Sequence, residues 1–135
     1  MRVLIADDSP ADVELMTLAL QESVGHLSID TATTTAEAFA ILETAQRRGA
    51  PPDLILVDFH LAGDGGLRFL ERVKAEAGTR RIPVVVLSGS DAPEAIAESY
   101  DRHANAYVCK PMDFSGLVSV LSAAALLWGR GDVGP

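Results

Sequence analysis

Cysteine is nearly missing from this chain: Cys109 stands alone among 135 residues, so no internal disulfide can hold the fold and stability must come from a packed core. Long apolar runs are missing too. None approaches the ~18 residues of a membrane-crossing helix, and the stretch from Leu117 to Trp128 is short and interrupted by serines. A helical membrane protein is thereby excluded. Positive charge is in short supply, with 11 Lys and Arg against 19 Asp and Glu and a net charge of -8. Such a surface repels phosphate backbones and anionic lipid, which argues against nucleic acid or a membrane as partner and favours a cation as guest. The opening Met1-Arg2-Val3-Leu4-Ile5 turns acidic at Asp7, too soon for a secretion signal, and a cytoplasmic protein is expected.

What is present reads as a globular chain. Hydrophobic residues make up 48% and charged residues 22%, close to the average of packed domains, and the length fits a single domain over 1–135 with little room for a second. Five short runs rich in Val, Ile and Leu stand out: Val3 to Ala6, Leu27 to Thr31, Leu54 to Val57, Val84 to Leu87, and Ala106 to Cys109. Helical periodicity separates them, so repeated βα units are predicted. All but the second run are nearly continuous, as in parallel strands covered on both faces.

The helices carry their own punctuation. Ser9-Pro10 reads as a cap and first-turn proline, with Val13, Met16 and Leu20 facing inward. Thr34 and Glu37 have capping-box spacing ahead of Ala38, Ile41, Leu42 and Ala45. A third helix after Gly65-Gly66 should bury Leu67, Leu70, Val73 and Ala77 and end at Gly78. The fourth, from Pro93 toward His103, should bury Ile96, Ala97 and Tyr100, and with few large apolar residues it should be the least firmly packed. The last, from Phe114 to Trp128, aligns Phe114, Leu117, Val118, Leu121, Ala125 and Trp128 inward, followed by a frayed tail over 129–135. Right-handed crossovers make a doubly wound α/β fold the natural closure, and the flavodoxin-like (βα)5 with parallel strand order 2-1-3-4-5 suits this length.

In such a sheet, functional side chains collect at the carboxyl ends of the strands. There the chain places Asp7-Asp8, Asp58, Ser88-Gly89 and Lys110-Pro111. Three carboxylates brought together repel unless a cation sits among them, and an all-oxygen set with water suits a small hard divalent ion, so Mg²⁺ is expected. Such an ion leaves one carboxylate able to act as a nucleophile, and Asp58 is the candidate. Taken singly, Asp7-Asp8 reads as a helix-capping pair, Asp58 as a loop residue and Ser88 as a turn residue. Only their joint order points to chemistry.

The blocks Ile5-Ala6-Asp7-Asp8-Ser9, Val57-Asp58, Leu87-Ser88-Gly89 and Tyr107-Val108-Cys109-Lys110-Pro111 resemble the signature of the response-regulator receiver family, of the stand-alone, chemotaxis-regulator-like kind, over nearly the whole chain. The resemblance implies that Asp58 takes a phosphoryl group from a phosphohistidine on a sensor histidine kinase. It implies that Asp8 binds Mg²⁺ directly, that Asp7 helps through water, and that Asp58 and the backbone carbonyl of His60 complete the ligands. Ser88, Lys110, Gly89 and Phe59 would bind the phosphoryl oxygens, Ser88 and Tyr107 would form the switch, and a cis bond at Lys110-Pro111 would aim the lysine. The opening Asp7-Asp8-Ser9-Pro10-Ala11-Asp12, His60, and Met112-Asp113-Phe114 resemble receivers paired with bacterial phytochrome kinases.

The chain departs from the family where Ala62 stands in place of a proline common in the loop after Asp58, and Gly89 leaves an open approach to that aspartate. Its last helix has no charged residue from Ser115 to Trp128 and shows Val120, Ala123 and Leu127 opposite the inner stripe. An apolar outer face of this sort predicts a homodimer through the fourth helix, fifth strand and fifth helix. With no output domain in view, some downstream protein must read the switch. Cys109 is expected to be buried, and His26 and His103 to lie on the surface. Two other functions compete. A Mg²⁺-dependent phosphatase of the haloacid-dehalogenase type also uses an aspartyl nucleophile, but it places that nucleophile after the first strand with a second aspartate two residues on, a spacing absent from Asp7-Asp8. A pseudo-receiver adaptor would keep the fold without Asp8, Asp58, Ser88 and Lys110 all intact.

Overall fold

The computed structural model describes residues 1–128, so the expected frayed tail at 129–135 lies outside the described residues. The chain alternates β1 (Arg2–Ala6), α1 (Pro10–Ser23), β2 (Ser28–Ala32), α2 (Thr35–Arg47), β3 (Leu54–Asp58), α3 (Gly66–Ala75), β4 (Val84–Ser88), α4 (Pro93–Asp101), β5 (Ala106–Cys109) and α5 (Phe114–Trp128). The five strands are parallel in the order β2-β1-β3-β4-β5, as predicted.

β3 and β4 are buried along their whole length, which is why their sequences are unbroken runs of Val, Leu and Ile. One core cluster joins the sheet to α1 and α5 through Val3, Ile5, Leu20, Leu56, Val85 and Leu121. The other lies on the opposite face under α2 and α3, with Leu42, Ile55, Phe69, Leu70 and Val86. No side chain of α4 is counted in either cluster among the described residues, in line with its shortage of large apolar groups.

Register places the functional ends. Ala6 pairs with Val57, so Asp7 and Asp58 emerge as neighbours; Asp58 pairs with Leu87, and Ser88 pairs with Cys109, so Lys110 leaves the sheet beside Ser88.

Caps work much as their sequences suggest. Ser9 accepts the Asp12 N–H at 3.3 Å, and Thr34 accepts the Glu37 N–H at 3.1 Å. The capping box on α2 is displaced by one residue, because Glu37 takes the N–H and hydroxyl of Thr33 at 2.6 and 2.7 Å.

Several expectations need correction. α3 ends at Ala75, ahead of Gly78, because the Thr79 hydroxyl donates to the Val73 carbonyl at 2.7 Å and closes the helix early; Ala77 is exposed and Phe69 is the buried residue. α4 buries Ala95 and Ser99, leaving Ala97 and Tyr100 outside. There the Tyr100 hydroxyl accepts the Tyr107 N–H at 3.1 Å, so the ring covers the open edge of β5 instead of filling the core. Cys109 is exposed because it ends an edge strand with no neighbour beyond it. On α5, Phe114 is partly out and Ala124 is in. No peptide bond is cis among the described residues, which overturns the expectation at Lys110-Pro111. Trans is the default for an X-Pro bond by about 0.5–1 kcal/mol, and the Lys110 side chain reaches its carboxylate partners from it.

Gly65 and Gly66 are demanded by geometry. Gly65 has φ 89°, the left-handed region that favours glycine, and a Cβ on Gly66 would collide with the backbone carbonyl of Asp58. Gly66→Ala should therefore cost about 1–3 kcal/mol in denaturant unfolding, as overpacking does. A variant as stable as the native chain would show that the loop after Asp58 gives way freely.

Candidate functional site

The site sits where the three central strands end. Strand pairing runs one residue past β1, with the Asp7 N–H donating to the Ala32 carbonyl at 2.9 Å. This carries the Asp7 side chain inside, where it is 1% exposed. The Ser9 N–H holds one of its carboxylate oxygens at 2.9 Å. Asp58, the last residue of β3, is 8% exposed, whereas Asp8 lies open to solvent. Carboxylate oxygens of Asp7, Asp8 and Asp58 all fall within 4.8 Å of one another.

Lys110 crosses this mouth from the end of β5. Its ammonium lies 2.9 Å from Asp7 Oδ2, 2.9 Å from Asp12 Oδ2 and 3.1 Å from Asp58 Oδ1. Burial by itself would push the Lys110 ammonium down, but its hydrogen bonds to Asp7, Asp12 and Asp58 outweigh that and hold it above the ordinary lysine range. Burial also raises the Asp7 carboxyl above its usual value; the Lys110 ammonium and the Ser9 N–H oppose the rise, and the Asp58 charge adds to it.

Around this centre the predicted residues are distributed unevenly. Ser88 is fully buried, and its hydroxyl oxygen accepts the Ser90 N–H at 3.1 Å. Nothing lies within 4 Å of where a side chain on Gly89 would begin, so the approach beside Ser88 is open. The Phe59 N–H is engaged, donating to the Leu87 carbonyl at 2.8 Å. Tyr107 is half-buried, its hydroxyl donating to the Ser90 carbonyl at 2.6 Å and its ring lying edge-on to Phe59. The His60 side chain is exposed with its ring against the edge of Phe59. His26 and His103 are on the surface.

The loop after Asp58 is tied down at the position where proline is missing. The Ala62 carbonyl accepts the Thr35 N–H at 3.0 Å, and the Thr35 hydroxyl accepts the Asp64 N–H at 3.3 Å. Two participants escaped the sequence reading. Thr35 carries no signal beyond its place next to Thr34, and Asp12 entered only within the block that resembles phytochrome-paired receivers; its position one turn into α1, level with the end of β5, is the signal that marks it. Of the residues expected at an interface, Ala123 and Leu127 are exposed, while Val120 is half-buried against the α1–α5 core. Leu126, 78% exposed, was missed.

The donor set fits a metal ion. Asp7, Asp12 and Asp58 meet one ammonium while Asp8 lies beside Asp7 and Asp58, and that excess of negative charge, made wholly of carboxylate oxygens, suits a hard divalent cation. Asp7, Asp8 and Asp58 would hold it. No helix among the described residues is long and apolar enough to cross a membrane.

Comparison with known proteins places this arrangement. Response regulator Rcp1 of Synechocystis sp. is 29% identical over 128 residues, which span 93% of this chain and 87% of Rcp1. The regulatory protein RpfC of Xanthomonas campestris is 34% identical over 130 residues, but the chain spans only 17% of its length. Among solved structures, the phosphorylated cyanobacterial phytochrome response regulator RcpA superposes with a TM-score of 0.85 at 32% identity, covering 94% of this chain and 92% of RcpA. The Mn²⁺-bound form of Rcp1 gives 0.82 at 28% identity, covering 99% and 98%. Residues 3–122 match the response regulator receiver domain, and with the strand order and the acidic mouth in place the chain belongs to that family, a receiver-domain response regulator of two-component signalling.

Proposed function

We propose that the whole chain, residues 1–135, works as one receiver domain whose Asp58 accepts a phosphoryl group from a phosphohistidine on a sensor histidine kinase. One observation carries this reading. Asp58 is buried at the end of β3, yet it keeps a carboxylate oxygen 3.1 Å from the Lys110 ammonium and within 4.8 Å of oxygens on Asp7 and Asp8. An Asp58 oxygen attacks phosphorus as the bond to the donor nitrogen breaks, and the imidazole leaves with that electron pair. The charge on the equatorial oxygens is then met by Lys110 and the Ser88 hydroxyl. Asp8, Asp58 and the His60 carbonyl, with Asp7 through water, would hold Mg²⁺, whose divalent charge would let an anionic donor approach this acidic site.

Phosphoryl binding by Ser88 and Lys110, with the backbone at Gly89, would draw on Ser88 and thereby on Tyr107; Phe59, expected to share in it, has its N–H committed to the Leu87 carbonyl. That pair is the proposed switch, and a downstream protein would read it. Likeness to Rcp1 and RcpA supports a kinase of the bacterial phytochrome type as the donor. A phosphatase of the haloacid-dehalogenase type is disfavoured, because Asp58 closes β3 and Asp7-Asp8 after β1 lacks the second aspartate two residues on. The expected setting is cytoplasmic.

The outer face of α5 supports a homodimer. Leu126 and Leu127 are 78% and 61% exposed, with no charge on the helix to solvate that side, and α4, β5 and α5 form one end of the molecule.

Acetyl phosphate with Mg²⁺ should add one phosphoryl group to the native chain and none to Asp58→Asn, as read by intact mass; equal labelling of both would refute the assignment. Sedimentation of the native chain should reveal a dimer that Leu127→Glu shifts toward monomer by tenfold or more in dissociation constant, on the order of 1.4 kcal/mol. A native chain that stays monomeric at high concentration would remove the dimer.

A further inference from the structure

We propose that Asp12 is a positioning residue for phosphoryl transfer: with Asp7 it holds Lys110 from two sides so that the remaining proton of the ammonium is directed at Asp58. The inference rests on the reading of Asp58 as phosphoacceptor and extends it to a residue outside the predicted constellation.

The geometry is a matter of donors and acceptors. A lysine ammonium has three protons and no more. Here two of them bond Asp7 Oδ2 and Asp12 Oδ2, each at 2.9 Å, and the ammonium faces Asp58 Oδ1 as an ion pair at 3.1 Å. Asp7 is fixed by burial and by the Ser9 N–H, and it belongs to the sheet. Asp12 belongs to α1, in the first turn, where Pro10 and the Ser9 cap set the backbone. The lysine is thus anchored to two rigid elements, with its longest contact facing the nucleophile.

When Asp58 becomes an acyl phosphate its own negative charge is lost, and the third ammonium proton is the one free to turn to a phosphoryl oxygen. Asp7 and Asp12 keep theirs. Lysine has a flexible four-carbon stem whose rotamer freedom is lost when it is fixed, and a group already fixed in the resting state does not have to be fixed again as the phosphoryl arrives. Acids in the first turn of a helix are often there for the helix dipole. The Asp12 side chain instead meets Lys110, and the capping is done by Ser9. Asp12 is 40% exposed, so water screens its charge and its hold on Lys110 is modest.

The test is a double-mutant cycle on Mg²⁺-dependent binding of beryllofluoride, a phosphoryl mimic, followed by calorimetry on native chain, Asp12→Asn, Lys110→Met and the double variant. Asp12→Asn should weaken binding by roughly three- to tenfold, and the same substitution should change little once Lys110 is Met, because coupled residues do not add. Without beryllofluoride, the Lys110 ammonium should give a slowly exchanging ¹⁵N signal in the native chain that broadens in Asp12→Asn. Unchanged or tighter binding in Asp12→Asn, or an equal loss without the lysine, overturns the role of Asp12 and leaves Asp58 standing. A native chain that binds no beryllofluoride removes the phosphoacceptor reading and Asp12's role with it.

Discussion

Everything about this molecule turns on carboxylates that a parallel sheet forces together. The pairing of Ala6 with Val57 makes Asp7 and Asp58 neighbours, and burial at 1% and 8% denies them the solvent that would ordinarily keep them apart. Lys110 is the group that makes this tolerable, since it contacts both and a third acid as well. Burial raises Asp7 above its usual range against the pull of Lys110, and with Asp8 beside Asp7 and Asp58 the carboxylates outnumber the one ammonium. The site is thereby preset for additional positive charge, and that need ties the fold to a divalent ion and to phosphoryl chemistry.

The scaffold confines irregularity to the places where the site needs it. The loop after Asp58 passes through Gly65 with a positive φ and through Gly66 against the Asp58 carbonyl, while α2 pins its middle at Ala62. β5 is short and half-buried, and its outer edge is covered by a single tyrosine from α4. Tyr107 therefore connects two regions. Its backbone answers to Tyr100, and its hydroxyl answers to the Ser90 carbonyl, two residues from the buried Ser88. A change at Ser88 has a short physical route to the α4–β5 end of the molecule.

Much of this was legible from residues alone, for a clear reason. Strands buried on both faces must be continuous apolar runs, so β1, β3 and β4 are plain in the sequence, and the rule that side chains gather at strand ends marks Asp7, Asp8, Asp58, Ser88 and Lys110. The edges were less legible. Cys109 looked like core because its run is apolar, but an edge strand has only one neighbour to bury it. The inner face of α4 was misassigned because its apolar residues, Ile96 and Tyr100, are not the ones the sheet selects; the small Ala95 and Ser99 pack instead, with the Ser99 hydroxyl satisfied by the Ala95 carbonyl at 2.9 Å. Phe69 was missed because Leu67 and Leu70 already satisfied the helical period. Asp12 could not be recognised without the distance to Lys110, because sequence shows an acid at a helix start and nothing of what crosses above it. The trans bond at Lys110-Pro111 shows the limit of resemblance: a family feature was carried over, and the chain does without it here.

Which of the gathered carboxylates is the nucleophile decides the chemistry of the site, and the direct measurement is chemical trapping. Borohydride reduces an aspartyl phosphate to homoserine, so the chain treated with acetyl phosphate and Mg²⁺, reduced and sequenced by tandem mass spectrometry, should carry homoserine at position 58 alone. Homoserine at position 7, 8 or 12, or at no position despite phosphoryl uptake, would contradict the central claim.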